Sequence, residues 1–152
     1  QVDLDTLSPQ QLVQVKKQLE DEISLLTQNF GSLKVAHNRY TQSLEAVDDV
    51  GKSTAGQECL VPLTSSVYVK GSLTTNTTLL VDVGTGFYIE KDIEGAGNFM
   101  KGKLVYLQRN LEQLSQTIVA KRKSLETVQV YLNARIQSMQ DQEQAKAAAP
   151  SN

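Results

Sequence analysis

Two long heptad repeats, separated by a stretch of β-branched residues, constrain the fold of this chain more than any other feature. Apolar side chains recur at alternating intervals of three and four residues between residues 8 and 50, and again between residues 98 and 144. Such a narrow apolar stripe is typical of a helix that packs against one partner helix, because a globular core requires a broader apolar face. The pattern predicts two helices, each about 65 Å long at ~1.5 Å rise per residue.

The core positions of both heptads can be assigned. In the first helix they are Leu12, Leu19, Leu26, Leu33, Tyr40 and Val47 in one series, and Lys16, Ile23, Phe30, His37 and Leu44 in the other. In the second helix they are Leu104, Leu111, Ile118, Leu125, Leu132 and Met139, with Met100, Leu107, Leu114, Lys121, Val128 and Arg135. An antiparallel register with Leu26 beside Leu125 and Ile23 beside Val128 fills the middle of the pair, although a shift by one heptad stays open.

The helix ends carry local signals. Ser8, Pro9 and Gln11 form the pattern of a capping box with proline at the first helical position, which predicts a helix start at that point. The run Gly95-Ala96-Gly97-Asn98 is glycine-rich, so we expect it to precede the second helix, over residues 98–144.

Between the helices the apolar period changes to two, which predicts two β-hairpins within residues 57–92. The predicted strands are residues 59–63 and 66–69 around Thr64-Ser65, and residues 79–83 and 87–90 around Gly84-Thr85-Gly86. The sequence thus predicts a mainly α fold in one domain, residues 1–152, with a long antiparallel coiled coil and two β-hairpins between the helices at one end.

Isolated hairpins cannot bury their own apolar side chains, because a stable sheet needs more strands and a covered face. We therefore expect the hairpins to pair with hairpins of other subunits in an intersubunit β-barrel. The predicted subunit interface is Leu60, Val61, Leu63, Val67, Val69, Leu79, Val81, Val83, Phe87 and Ile89.

Residues that could carry chemistry are few and scattered. Cys59 is the only cysteine and His37 the only histidine, and neither has a second catalytic or ligating residue at a recognisable spacing. Gly84-Thr85-Gly86 lacks a third glycine and precedes a strand, which favours a hairpin turn over a phosphate-binding loop. We expect no enzymatic activity, no cofactor and no metal site.

Charge and composition limit the partners and the compartment. The net charge is -2 and the basic run at residues 121–123 lies within a predicted helix, so neither nucleic acid nor an anionic membrane is an expected partner. A single cysteine, with no secretory signal pattern, is typical of the reducing cytosol. We expect a cytoplasmic protein, and a nuclear role stays open.

Residues 60–69 and 81–91 closely resemble the hairpins of α-type prefoldin subunits, and the order coil, two hairpins, coil extends the resemblance over almost the whole chain. Lys70 stands where the family often has proline, at a strand end. The resemblance implies a hexamer of two α-type and four β-type subunits, joined through a double β-barrel. It also implies ATP-independent binding of unfolded proteins, notably actin and tubulin, and their transfer to the cytosolic chaperonin.

Contact with unfolded clients requires exposed apolar groups, and the resemblance points to the coil tips near the chain ends. The candidate client-binding residues are Leu4, Leu7, Leu12, Val13, Ile136 and Met139. These side chains could equally well close the coil. A coiled-coil scaffold or tether, without affinity for unfolded chains, is therefore the alternative function, and periodicity does not separate the two.

Overall fold

The computed structural model describes residues 7–147, apart from the side chains of residues 142, 143 and 145–147. The elements follow one another as α1 (Pro9–Lys52), β1 (Glu58–Pro62), β2 (Tyr68–Ser72), β3 (Thr78–Gly84), β4 (Phe87–Asp92) and α2 (Ile93–Ala147). β1 pairs with β2 and β3 with β4, each as an antiparallel two-stranded sheet. The predicted mainly helical fold with two hairpins between two helices is confirmed. Within the described part of the chain, neither helix has an apolar stretch that could cross a bilayer.

The heptad assignment agrees with the observed burial. All eleven predicted core positions of α1 are buried or partly buried, and so are ten of the twelve in α2. The two exceptions, Arg135 and Met139, are exposed near the end of α2. The apolar stripe therefore predicted the packed face of both helices except in the last described turns.

Packing divides the chain into two compact units. The hairpin unit is Leu33–Asn110, and the terminal unit consists of the described residues before and after that stretch.

In the terminal unit, Leu12 is fully buried and forms a cluster with Val128 and Leu132. Further along α1, Glu22 pairs with Lys121 at 2.7 Å, so the two helices run antiparallel within this unit. The register differs by about one heptad from the one that sets Ile23 beside Val128, which is the kind of shift that the heptads left open. The pairing of Ile23 with Val128 would bring Lys16 close to Arg135. The observed register instead places the carboxylate of Glu22 beside the ammonium group of Lys121.

The start of α1 agrees with the predicted capping box. Ser8 Oγ accepts a hydrogen bond from the backbone N–H of Gln11 at 3.3 Å, and Gln11 Oε1 accepts one from the N–H of Ser8 at 2.9 Å. These reciprocal bonds satisfy two backbone donors that have no acceptor within the helix.

In the hairpin unit, α2 begins earlier than predicted. It starts at Ile93, directly after β4, and contains the glycines that were expected to precede it. Asp92 Oδ1 accepts the N–H of Gly95 at 2.9 Å and caps the helix, and a Cβ at Gly95 would lie 2.5 Å from that oxygen. A Cβ at Gly97 would meet Leu44 of α1 at 3.9 Å. A Cβ at Gly95 would displace the capping carboxylate, whereas a Cβ at Gly97 would make only an ordinary van der Waals contact with Leu44. The glycines lie within α2 and do not mark its boundary.

The two hairpins turn differently. In the first, β1 and β2 are joined by residues 63–67, where Val67 O accepts from Leu63 N at 2.9 Å, so the predicted two-residue turn at Thr64-Ser65 is wrong. In the second, Thr85 and Gly86 form the turn with φ of 52° and 82°. Positive φ at both positions is what a type I′ hairpin turn requires, and this confirms the hairpin interpretation of the glycines.

Candidate subunit interface

The hairpins expose a large share of the chain's apolar side chains. Eight of the ten predicted interface residues are exposed, as follows: Leu60, Val61, Leu63, Val67, Val69, Val83, Phe87 and Ile89. Phe87 is 69% exposed and Leu60 65%. Folded chains seldom expose so many neighbouring apolar groups unless another molecule covers them, so the hairpins form the candidate interface.

The other two predicted interface residues are in the core of their own chain. Val81 is 3% exposed and packs with Val47 of α1 and Ala96 of α2, and Leu79 packs against the same cluster. Assigning Val81 to the subunit interface was therefore wrong, because the helices of the same chain already cover it. Val81 and Leu79 instead anchor the second hairpin on the helices.

Strand register explains which side chains of the second hairpin remain outside. Val81 lies opposite Ile89, and Leu79 lies opposite Lys91, on the face that holds the anchor. The adjacent positions point the other way, because side chains alternate between the faces of a sheet. Leu80, opposite Glu90, is 73% exposed on that outer face.

Sequence reasoning missed three exposed residues of the hairpins. Leu80, Tyr68 and Tyr88 are 73%, 55% and 63% exposed and were not among the expected interface residues. A strict alternation around Val81 would have placed Leu80 on the opposite face. The uninterrupted run Leu79-Leu80-Val81 hid that alternation.

The strand edges are also open. Each sheet has two strands, so in the described part of the chain every strand has one edge without a partner strand. Unpaired backbone N–H and C=O groups along such an edge can bind a further strand in register. Open edges beside exposed apolar side chains are the two properties that strand-mediated assembly requires.

Only some of the candidate client-binding residues have exposed side chains. Leu12 is fully buried between the helices, so its assignment as a client contact is wrong, and Leu7 packs partly buried against it. Val13, Ile136 and Met139 are 50%, 43% and 56% exposed. These three stay candidates, whereas Leu4 lies outside the described residues.

An ion pair in the terminal unit connects the two helices. Lys121 Nζ donates a hydrogen bond to Glu22 Oε2 at 2.7 Å, and Gln18 Nε2 donates to Glu22 Oε1 at 3.1 Å. Lys121 and then Gln18 lower the pKa of the Glu22 carboxyl below its ordinary value, because both stabilise the carboxylate. The pair favours the observed register, since a shift by one heptad would separate its charges.

The residues considered for chemistry have structural surroundings. Cys59 is partly buried in β1 opposite Gly71, and a Cβ at Gly71 would lie 4.0 Å from its sulfur. His37 is partly buried on the packed face of α1. Among the described residues, no three His, Cys, Asp or Glu side chains converge as a metal site would require.

The chain consists of two helices with two β-hairpins between them, and the hairpin strands have open edges. These features define a class of protein subunit that can assemble through its strands. The family model described as "Prefoldin subunit" matches residues 19–145. This chain belongs to the prefoldin family, a family of chaperone subunits.

Several relatives are similar over nearly their full lengths. "Probable prefoldin subunit 5" of Schizosaccharomyces pombe is 43% identical over 84% of this chain and 84% of its own. "Probable prefoldin subunit 5" of Dictyostelium discoideum is 38% identical over 96% and 90%, and "Prefoldin subunit 5" of Homo sapiens is 34% identical over 97% and 96%.

A solved structure confirms the fold. It is the filamentous PFD from Methanocaldococcus jannaschii, which superimposes with a TM-score of 0.68 at 20% identity and covers 77% of this chain and 97% of its own. At that level of identity the likeness concerns the fold alone.

Proposed function

We propose that this chain is one of two α-type subunits of a heterohexamer with four β-type prefoldin subunits, joined by an intersubunit β-barrel. The observation that carries the proposal is the hairpin surface, where eight predicted interface side chains are exposed, six of them on strands with open edges and two in the loop between β1 and β2. Neighbouring hairpins would supply both the missing strands and the missing apolar cover. Membership of a family of subunits supports the same arrangement.

The assembly we propose is an ATP-independent chaperone of the cytoplasm. It holds unfolded proteins such as actin and tubulin and passes them to the cytosolic chaperonin, without catalysing a reaction. Val13, Ile136 and Met139 supply exposed apolar contact groups in the terminal unit, and the flexible Met side chain suits varied partners. Several weak contacts from different subunits would add up to useful affinity.

Replacing Ile89 by aspartate tests the assembly. Ile89 is 48% exposed on β4 but lies opposite the buried Val81, so thermal unfolding of the isolated variant must first show that its fold is kept. Between subunits the charge would be buried without a partner. We expect the affinity for β-type partners to fall by at least about 30-fold, the effect of losing one central interface contact. Native mass spectrometry of the chain mixed with β-type subunits measures the loss of mixed hexamers.

Leu25→Asp is the matched control. Leu25 is 59% exposed on α1, outside the hairpins, and its replacement should leave assembly unchanged. Equal assembly of the Ile89 variant and the unsubstituted chain would contradict the proposed role of the hairpins.

Client holding is tested separately, by replacing Val13, Ile136 and Met139 together with serine. We expect the mixed hexamer with this variant to form normally but to suppress the aggregation of chemically denatured actin less well, because apolar contact area is lost. Light scattering during dilution of the actin measures the effect. A hexamer that forms but never suppresses aggregation would instead support the tether function.

A further inference from the structure

A shallow groove in the hairpin unit lies on the surface of α2. Asn98, Phe99, Gly102, Lys103 and Tyr106 line it. Gly102 lies between Phe99 and Tyr106 in sequence, about one helical turn from each. Tyr106 is 64% exposed, and Gly102 is also exposed. The groove therefore offers two aromatic side chains around a stretch of bare backbone.

The glycine has no explanation inside the described chain. Glycine destabilises a helix interior relative to alanine and is accepted there when another group must approach the backbone. Gly95 follows that rule, since a Cβ there would lie 2.5 Å from Asp92 Oδ1. A Cβ at Gly102 would meet nothing within 4 Å. Gly31 has the same open space, but no aromatic residue lies three or four positions from it. Gly102 lies between Phe99 and Tyr106, so its open space fits an apolar group that comes from another molecule.

Two lysine side chains lie beside the Phe99 ring that forms one wall of the groove. Lys103 Nζ lies 5.3 Å from the centroid of the Phe99 ring, and Lys91 Nζ lies 6.0 Å from it. The nearby carboxylate of Asp92 is already engaged as acceptor of the Gly95 N–H. Two ammonium groups beside an aromatic wall complement an apolar side chain that is flanked by carboxylates.

We propose that this groove binds an acidic segment of a partner protein, with an aliphatic side chain over Gly102 and carboxylates beside Lys91 and Lys103. The residues that line the groove include none of the candidate interface residues and none of the candidate client contacts. The proposal therefore does not depend on the function proposed above.

Fluorescence anisotropy with the full-length chain tests the proposal. The probe is a fluorescein-labelled synthetic peptide of eight residues with one leucine among aspartates and glutamates. We expect saturable binding that weakens about tenfold or more when lysines replace the acidic residues or when serine replaces the leucine. Equal binding of the acidic and the basic peptide would overturn the proposal.

Substitutions locate the binding. Gly102→Leu fills the open space and should weaken binding of the acidic peptide about tenfold. Gly31→Leu is its matched control, because Gly31 is also an exposed glycine within a helix and has nothing within 4 Å of an added Cβ. Circular dichroism verifies that both variants keep their helix content. Equal affinities of the two variants for the peptide would overturn the proposal.

Lys103 provides a second test that does not alter the backbone. Lys103→Glu should weaken binding of the acidic peptide about tenfold. Lys103→Arg should bind the peptide as tightly as the unsubstituted chain does, because arginine keeps the positive charge beside the carboxylates of the peptide. Loss of binding in both variants would overturn the assignment of the charge. Loss of subunit assembly in Gly102→Leu, with unchanged peptide binding, would assign the groove to a neighbouring subunit and also overturn the proposal.

Discussion

Replacing Leu12 by alanine is expected to lower the free energy of unfolding by about 2 to 5 kcal/mol. Leu12 is fully buried against Val128 and Leu132, so alanine removes apolar contacts and leaves a cavity between the helices. Urea unfolding followed by far-UV circular dichroism measures the change. Hydrogen exchange of the first turns of α1 should accelerate, since this cluster holds them on α2.

Val13→Ala is the control for the Leu12 variant. Val13 is the next residue in the same helix but is 50% exposed, so its replacement should change the free energy of unfolding by less than about 0.5 kcal/mol. Similar losses at the two positions would contradict the burial of Leu12. They would return Leu12 to the set of candidate client contacts.

Replacing Val81 by aspartate is expected to destabilise the isolated chain by about 3 to 5 kcal/mol, the effect of a buried charge without a partner. Val81 is 3% exposed and packs with Val47 and Ala96. The second hairpin should detach from the helices, which thermal unfolding and faster exchange of the β3 amides would detect. Mixed hexamers should also be lost, because the detached hairpin presents its strands in no defined position.

Leu80→Asp is the control for the Val81 variant. Leu80 is the preceding residue of β3 but is 73% exposed on the outer face, so the isolated chain should keep its stability within about 0.5 kcal/mol. Val81→Ala, which removes volume without adding charge, should fall between the two variants. A stable Val81→Asp chain would show that the second hairpin does not depend on this anchor.

Much of the fold follows from local signals. The heptads identified the packed faces of α1 and α2, and Ser8 with Gln11 identified the start of α1. The glycines around Thr85 identified the second hairpin turn. Each of these features depends on residues within about two turns or one hairpin, so the sequence contains the information that is needed.

The candidate interface was predicted less completely. Alternation indicated that the hairpin strands have apolar faces, but it did not indicate whether the same chain or another would cover each face. The helices cover Val81 and leave Leu80 outside. Leu12 shows the same difficulty, because an apolar residue near a helix end can close the coil or remain available to a partner.

The sequence by itself thus determined the helices, the hairpins and the side of each helix that packs, because local hydrogen bonding and apolar period decide them. Only the tertiary structure decided the register of α1 on α2 in the terminal unit. A heptad repeat matches itself after every seven residues, so contacts between residues far apart in sequence, such as Glu22 with Lys121, are needed to select one register. The tertiary structure also decided that α2 begins at Ile93, because the Asp92 carboxylate caps the helix there, beside the bare backbone of Gly95.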